Sequence, residues 1–229
     1  MASPRLVSKG RLPTACGVAA VIGIAAIGLV ASGERPVYAA AQGAIVTTSP
    51  VYWMWDSATV IGTSRLVRTA SGLSAVLHAS GVPKGHAMTL WFAVFNNPEA
   101  CATSPCTLAD AGNSDVRVDF LWGGGAVTGG SGKVHLAGHV KAGDPSGSVF
   151  IEFANSAAAI GVIDPRTADV MLLVHSHGPA VPGQVLKSQL SSFLGGCSVF
   201  LGQEGFAAGP GDIPLAVGEC STFQVSVHP

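Results

Sequence analysis

Apolar and polar side chains alternate over much of the chain. Leu73, Ala75 and Leu77 point one way and Ser74, Val76 and His78 the other, the two-residue period of a strand with one buried face. The run from His86 to Phe95 is apolar at nearly every position, which suits a central strand covered on both faces. Similar patterning predicts strands over 64–69, 116–122, 132–140, 148–154, 169–177 and 222–227. The joints between them carry turn chemistry: Gly-Val-Pro-Lys-Gly at 81–85, Gly-Gly-Gly at 123–125, Gly-Gly-Ser-Gly at 129–132, Gly-Asp-Pro-Ser-Gly at 143–147 and Asp-Pro-Arg at 164–166. One segment has helical spacing instead. Val185, Leu186, Gln189, Leu190, Phe193 and Leu194 place a short helix over 184–194, with Gly195-Gly196 as its stop. The expected fold is a mainly β, antiparallel sandwich or barrel-like domain with that one helix.

The first forty residues follow a different pattern. Arg5, Lys9 and Arg11 precede twenty uncharged residues, 14–33, and the small residues Ala39, Ala40 and Ala41 follow. A basic start, an apolar stretch and an Ala-x-Ala site describe a secretory signal peptide, here 1–41 with cleavage after Ala41, or alternatively after Ala39. Residues 42–229 then form a single exported domain. The competing reading is a retained anchor, since twenty apolar residues can just span a bilayer. Cys16 lies before the apolar core, without a leucine three positions earlier, which argues against a lipoprotein anchor.

Charge narrows the partners. Only 11% of residues are charged and the net charge is −1, so no basic footprint for nucleic acid exists. A 48% hydrophobic content excludes a disordered chain. Cleavage after Ala41 would remove four of the 12 basic and one of the 13 acidic residues, leaving a mature chain at −4 with no stable membrane span. Four cysteines would remain, Cys101, Cys106, Cys197 and Cys220, and an even count in an exported chain reads as two disulfides. Sequence proximity favours Cys101–Cys106 and Cys197–Cys220. A zinc site from all four would need two close pairs, and Cys197 and Cys220 stand too far apart in sequence for that.

The histidines are the leading candidates for chemistry. His175 and His177 share a strand face, about 6.6 Å apart along it at ~3.3 Å per residue, a workable spacing for two imidazoles on one zinc or copper ion. His135 and His139 share another face and either could complete that site; Asp144, Asp164 and Asp169 are carboxylate alternatives. His78 and His86 flank the 81–85 turn as rim residues. No Gly-x-Ser-x-Gly elbow and no phosphate-cradling glycine motif occurs. Nothing selects Asp115, Asp119 or Glu152 as a glycosidase pair, so no catalytic residue is nominated. The cluster Tyr52-Trp53-Met54-Trp55 could stack on a sugar, but a strand closing the core is the simpler reading.

Two stretches, from Gly72 to Cys101 and from Val174 to Gly183, resemble a group of exported bacterial proteins of unassigned function, with a likeness spanning about residues 65–200. Locally, His175, His177, Gly178, Pro179 and Ala180 resemble the His-x-His-Gly-Pro-Ala segment of CHRD domains. That resemblance implies a secreted β-sandwich, although the helix-like stretch after Gly183 stands where a CHRD strand would be. The expectation is an exported, non-catalytic binding or structural module of the cell envelope or extracellular space, its ligand unspecified. The alternative is a zinc or copper protein or enzyme using His175 and His177.

Overall fold

The computed structural model describes residues 43–149, 159–201, 213 and 216–229. The N-terminal segment 1–41, residues 150–154 of the expected strand over 148–154, and Glu152 lie outside the described residues.

Among the described residues, ten strands form one sheet: β1 (Ile45–Trp53), β2 (Asp56–Thr69), β3 (Gly72–Ser80), β4 (His86–Phe95), β5 (Val118–Val127), β6 (Lys133–Lys141), β7 (Ser148–Val149), β8 (Asp169–Pro179), β9 (Val199–Phe200) and β10 (Glu219–His228). One helix, α1 (Gln184–Ser191), follows β8. The lateral order is β6-β3-β2-β1-β10-β8-β4-β5-β7, and β9 pairs with β10. Neighbours along that order are antiparallel, while β9 runs parallel to β10. The fold is thus the expected antiparallel β architecture.

The sheet curls until β5 and β6 face each other. A methyl group on Gly138 would sit 2.8 Å from the backbone of Gly123, so only glycine permits that approach. No ladder joins the two strands, and the sheet stays open rather than closing into a barrel. Inside the curl lies an inner core that includes Leu66, Leu77, Leu90, Phe92, Leu172, Val174 and Phe223. The opposite face of β4, β5 and β8 carries a second core, with Trp91, Phe95, Phe120, Leu173 and Phe193, under α1 and the irregular segment 98–116. Because β4 and β8 lie between the two cores, every residue of β4 and all but the last of β8 are buried.

Where the boundaries differ from expectation, the reason is local. Val116 belongs to a 3-10 turn, and β5 starts at Val118 and continues through Gly123–Gly125 to Val127. That glycine run is strand rather than joint, its bare backbone needed by β6 and by Leu190 of α1. β2 begins at Asp56, where its pairing with β1 starts, but its first half is exposed or half-exposed on both faces and has no two-residue signature. The helix ends at Ser191, three residues early, where the Ser192 backbone turns extended.

Candidate functional site

Alternation along β8 sends Val170, Leu172 and Val174 to the inner core and Met171 and Leu173 to the outer one. Continuing the same parity, His175 and His177 fall on the outer face, both fully buried. Their rings lie edge to face with centroids 4.5 Å apart. Opposite them β10 carries a bulge between Thr222 and Gln224. Phe223 therefore enters the inner core while Thr222 stays on the histidine side.

Each ring has a distinct set of partners. His177 Nδ1 donates to the Gly195 carbonyl at 2.8 Å, which fixes its proton there. Its Nε2 then accepts from Thr89 Oγ1 at 3.0 Å, and Thr89 in turn accepts from Trp91 Nε1 at 2.8 Å. His175 Nδ1 lies 2.9 Å from Thr222 Oγ1, and its ring stacks on Phe193 and Phe200. Its Nε2 is buried with no hydrogen-bond partner. Burial pushes the His177 pKa down to about 4, opposed by the Gly195 hydrogen bond. Burial, and then the neighbouring His177, holds His175 well below the ordinary imidazole range, opposed by the Phe193 backbone. Both rings are neutral at physiological pH, the form that can ligate a metal.

The surrounding loops converge on this pair. Gln189 of α1 is buried and donates from Nε2 to the carbonyls of His177 and Pro179, docking the helix on the end of β8. Gly178 has a φ of +72°, and a Cβ there would meet the Ala216 carbonyl at 2.5 Å. The glycine after the second histidine thus lets residues 216–219 close over the strand and deliver Cys220. Cys220 is disulfide-bonded to Cys197, with Cα atoms 5.6 Å apart. One ring nitrogen from each of His175 and His177 and the two sulfurs all lie within 4.8 Å of one another. Cys197 is the partly exposed member and forms the solvent side of the cluster.

The other expected ligands are elsewhere. His135 and His139 are on the outward face of β6, His135 in contact with His78 through their Nδ1 atoms and His139 Nδ1 2.9 Å from Ser74 Oγ. The donors brought to His175 and His177 are Cys197 and Cys220, because disulfide pairing and the Gly178 turn carry those loops over β8 while β6 lies at the far edge of the sheet. Asp144 and Asp164 accept from nearby turn amides, and Asp169 accepts from Cys106 N at the opposite end of β8. Asp119 accepts from Ser148 Oγ and from the amides of Ile160 and Gly161. His86 is buried and its Nδ1 is unpartnered, rather than being a rim residue. His78 and His135 are exposed and, with Lys133, line a surface groove of about 410 Å³. Trp53, the last residue of β1, stacks on Phe223 and on Trp55 of the following turn, both tryptophans packing against the inner core, so the cluster closes the core partly from a strand and partly from a turn.

Sequence spacing missed a further buried histidine. His228, at the end of β10, has Nε2 2.7 Å from Ser64 Oγ and Nδ1 2.8 Å from Thr47 Oγ1. Burial and the Arg68 guanidinium bring its pKa down to about 4. Cys101 and Cys106 form the other disulfide, as sequence proximity favoured. No family model matches the chain, nor does any curated protein or solved structure.

Proposed function

We propose that the protein is an exported β-sandwich module that acts by binding or by structural support in the cell envelope or outside the cell, without a catalytic centre of its own. The observation that carries this reading is the pair of disulfides, Cys101–Cys106 within the irregular segment 98–116 and Cys197–Cys220 between the loop after α1 and β10. Such bonds persist in compartments outside the reducing cytosol. The basic, apolar and small-residue pattern of 1–41, the resemblance to exported proteins of unassigned function and the local resemblance of 175–180 to a CHRD segment support the same address. Cell fractionation, N-terminal sequencing and thiol alkylation test it together. The expected result is a mature chain starting after Ala41 or Ala39 whose four cysteines alkylate only after reduction. A cytosolic chain with its N-terminus intact and its thiols free would overturn the reading.

A second reading, a zinc or copper protein built on His175 and His177, is favoured by the four-donor cluster. Elemental analysis of purified protein, compared with His175→Ala and His177→Ala, checks it. Stoichiometric metal that disappears in the variants supports it; none in the wild type under any redox condition removes it.

A further inference from the structure

The cluster joins two metal-ligating imidazoles to a disulfide, and these are alternative uses of one space. We propose that reduction of Cys197–Cys220 turns this corner into a Cys2His2 site for Zn²⁺, so that metal and disulfide exclude each other. This rests on the metal reading above and adds the condition under which the ion binds.

Three observations support it. The four donor atoms already lie within 4.8 Å of one another. Tetrahedral zinc with Zn–S near ~2.3 Å and Zn–N near ~2.0 Å needs donor-to-donor edges of roughly 3.3–3.8 Å. His177 Nδ1 stands 3.7 Å from Cys197 Sγ, already such an edge. The bonded sulfurs would have to separate by about 2 Å to reach the same edge length, a movement within reach of side-chain rotation in the partly exposed Cys197. Finally, His175 Nε2 is a buried nitrogen without a partner. With its proton on Nδ1, donated to Thr222 Oγ1, the Nε2 lone pair faces no donor, and the Thr222 hydroxyl orients the ring as the outer partners of metal-bound imidazoles do. In the oxidised protein that lone pair is an uncompensated cost; a cation at Nε2 removes it. His177 would give up its hydrogen bond to Gly195 and, with its proton moved to Nε2, donate to Thr89.

The chemistry balances with a dithiol reductant. It passes two electrons and two protons to the S–S bond and leaves as its own disulfide, while Cys197 and Cys220 become thiols. Binding Zn²⁺ then releases those two protons to solvent. A disulfide oxidant reverses the sequence: it takes two electrons from the thiolates, becomes a dithiol with two protons from solvent, and Zn²⁺ departs.

The test is equilibrium dialysis against Zn²⁺, with elemental analysis, on the full mature chain and on Cys101→Ser/Cys106→Ser, each oxidised or reduced with a phosphine. One zinc per reduced chain and under about one-tenth per oxidised chain is expected, with His175→Phe weakening the reduced site at least tenfold. Cobalt in place of zinc should show thiolate-to-metal absorption only after reduction. Where a reduced chain unfolds without metal, zinc present throughout reduction should keep its near-ultraviolet dichroism native. Equal zinc in oxidised and reduced protein would overturn the switch and leave the simple His-x-His reading standing. Reduced protein that takes no zinc, that unfolds despite it, or that binds it regardless of His175→Phe would overturn the site itself.

Discussion

Two buried histidine sites sit toward opposite ends of the β8–β10 ladder, and they solve the same problem differently. In the ladder, His228 is opposite Val170 and His175 is opposite Thr222. Both rings are taken fully out of water and both are driven toward the neutral form. At His228, hydroxyls from Thr47 and Ser64 meet both nitrogens, and Ser64 is further tied to Ser226. At His175 one nitrogen is met and the other is not. A buried polar atom with a partner contributes to a unique packing, whereas one without a partner costs about 1–3 kcal/mol. The satisfied site is held by side chains that grow out of three strands. The unsatisfied one is covered by loops, and those loops are held by a covalent bond.

Removing that bond should therefore have the largest effect. Cys197 and Cys220 are 23 residues apart and Cys101 and Cys106 only 5. Loop-closure entropy then assigns about 3.4 kcal/mol to the longer link and about 2.1 kcal/mol to the shorter. Denaturant unfolding of Cys197→Ala/Cys220→Ala against Cys101→Ala/Cys106→Ala measures the two. The longer link should cost more, and its loss should expose the His175 end to hydrogen exchange while amides around His228 stay protected. Equal exposure at both ends would erase the distinction between a loop-covered and a strand-built site.

Acid should act on both sites, with a smaller effect. An imidazole whose folded pKa is about 4 binds its proton less readily in the folded chain than at the ordinary unfolded value near 6.5. Its neutral form stabilises the fold fully above about pH 6.5, and that stability is lost as pH falls toward 4. For His177 the loss between pH 7 and pH 4 is about 2–3 kcal/mol, and His228 acts in the same direction. Thermal unfolding from pH 7 to pH 4 should show the decline, and His177→Gln should flatten it. An unchanged slope in that variant would take His177 out of the account.

How much of this was readable beforehand follows from where the signal lies. Strand β3 and the alternating part of β2 announced themselves because one face is buried and the other wet. The first half of β2 did not, since exposure on both faces erases the two-residue period. Gly123–Gly125 read as a turn because the sequence shows the missing side chains but not the strand that needs their absence. The pairing of His175 with His177 was legible from spacing alone. That Cys197 and Cys220 would join them was not. Their place depends on Gly178, on the bulge beside Phe223 and on Gln189 fastening α1, all contacts between segments distant in sequence. His135 and His139 share a residue type with His175 and His177 but lie on an edge strand facing solvent.

The smallest effect separates the two histidines most sharply. In the oxidised protein, His175→Phe replaces an imidazole that packs beside Phe193 and Phe200, themselves in contact, with a third apolar ring of similar shape. It deletes the unpartnered Nε2, a gain, and leaves Thr222 Oγ1 without its imidazole contact, a loss of similar size. The net change in unfolding free energy should stay within about 1 kcal/mol, measured by urea titration without reductant. The same replacement at His228 strips a partner from both Thr47 and Ser64 and has no unpartnered nitrogen to offset it, so it should cost clearly more. If His175→Phe instead destabilises the oxidised chain as much as the 228 variant does, then His175 Nε2 is satisfied in solution and the two sites are the same kind of structural histidine. If it is close to neutral, a histidine is retained at 175 for something other than the stability of the oxidised fold, and the thiolates that reduction would place beside it are the partners its chemistry fits.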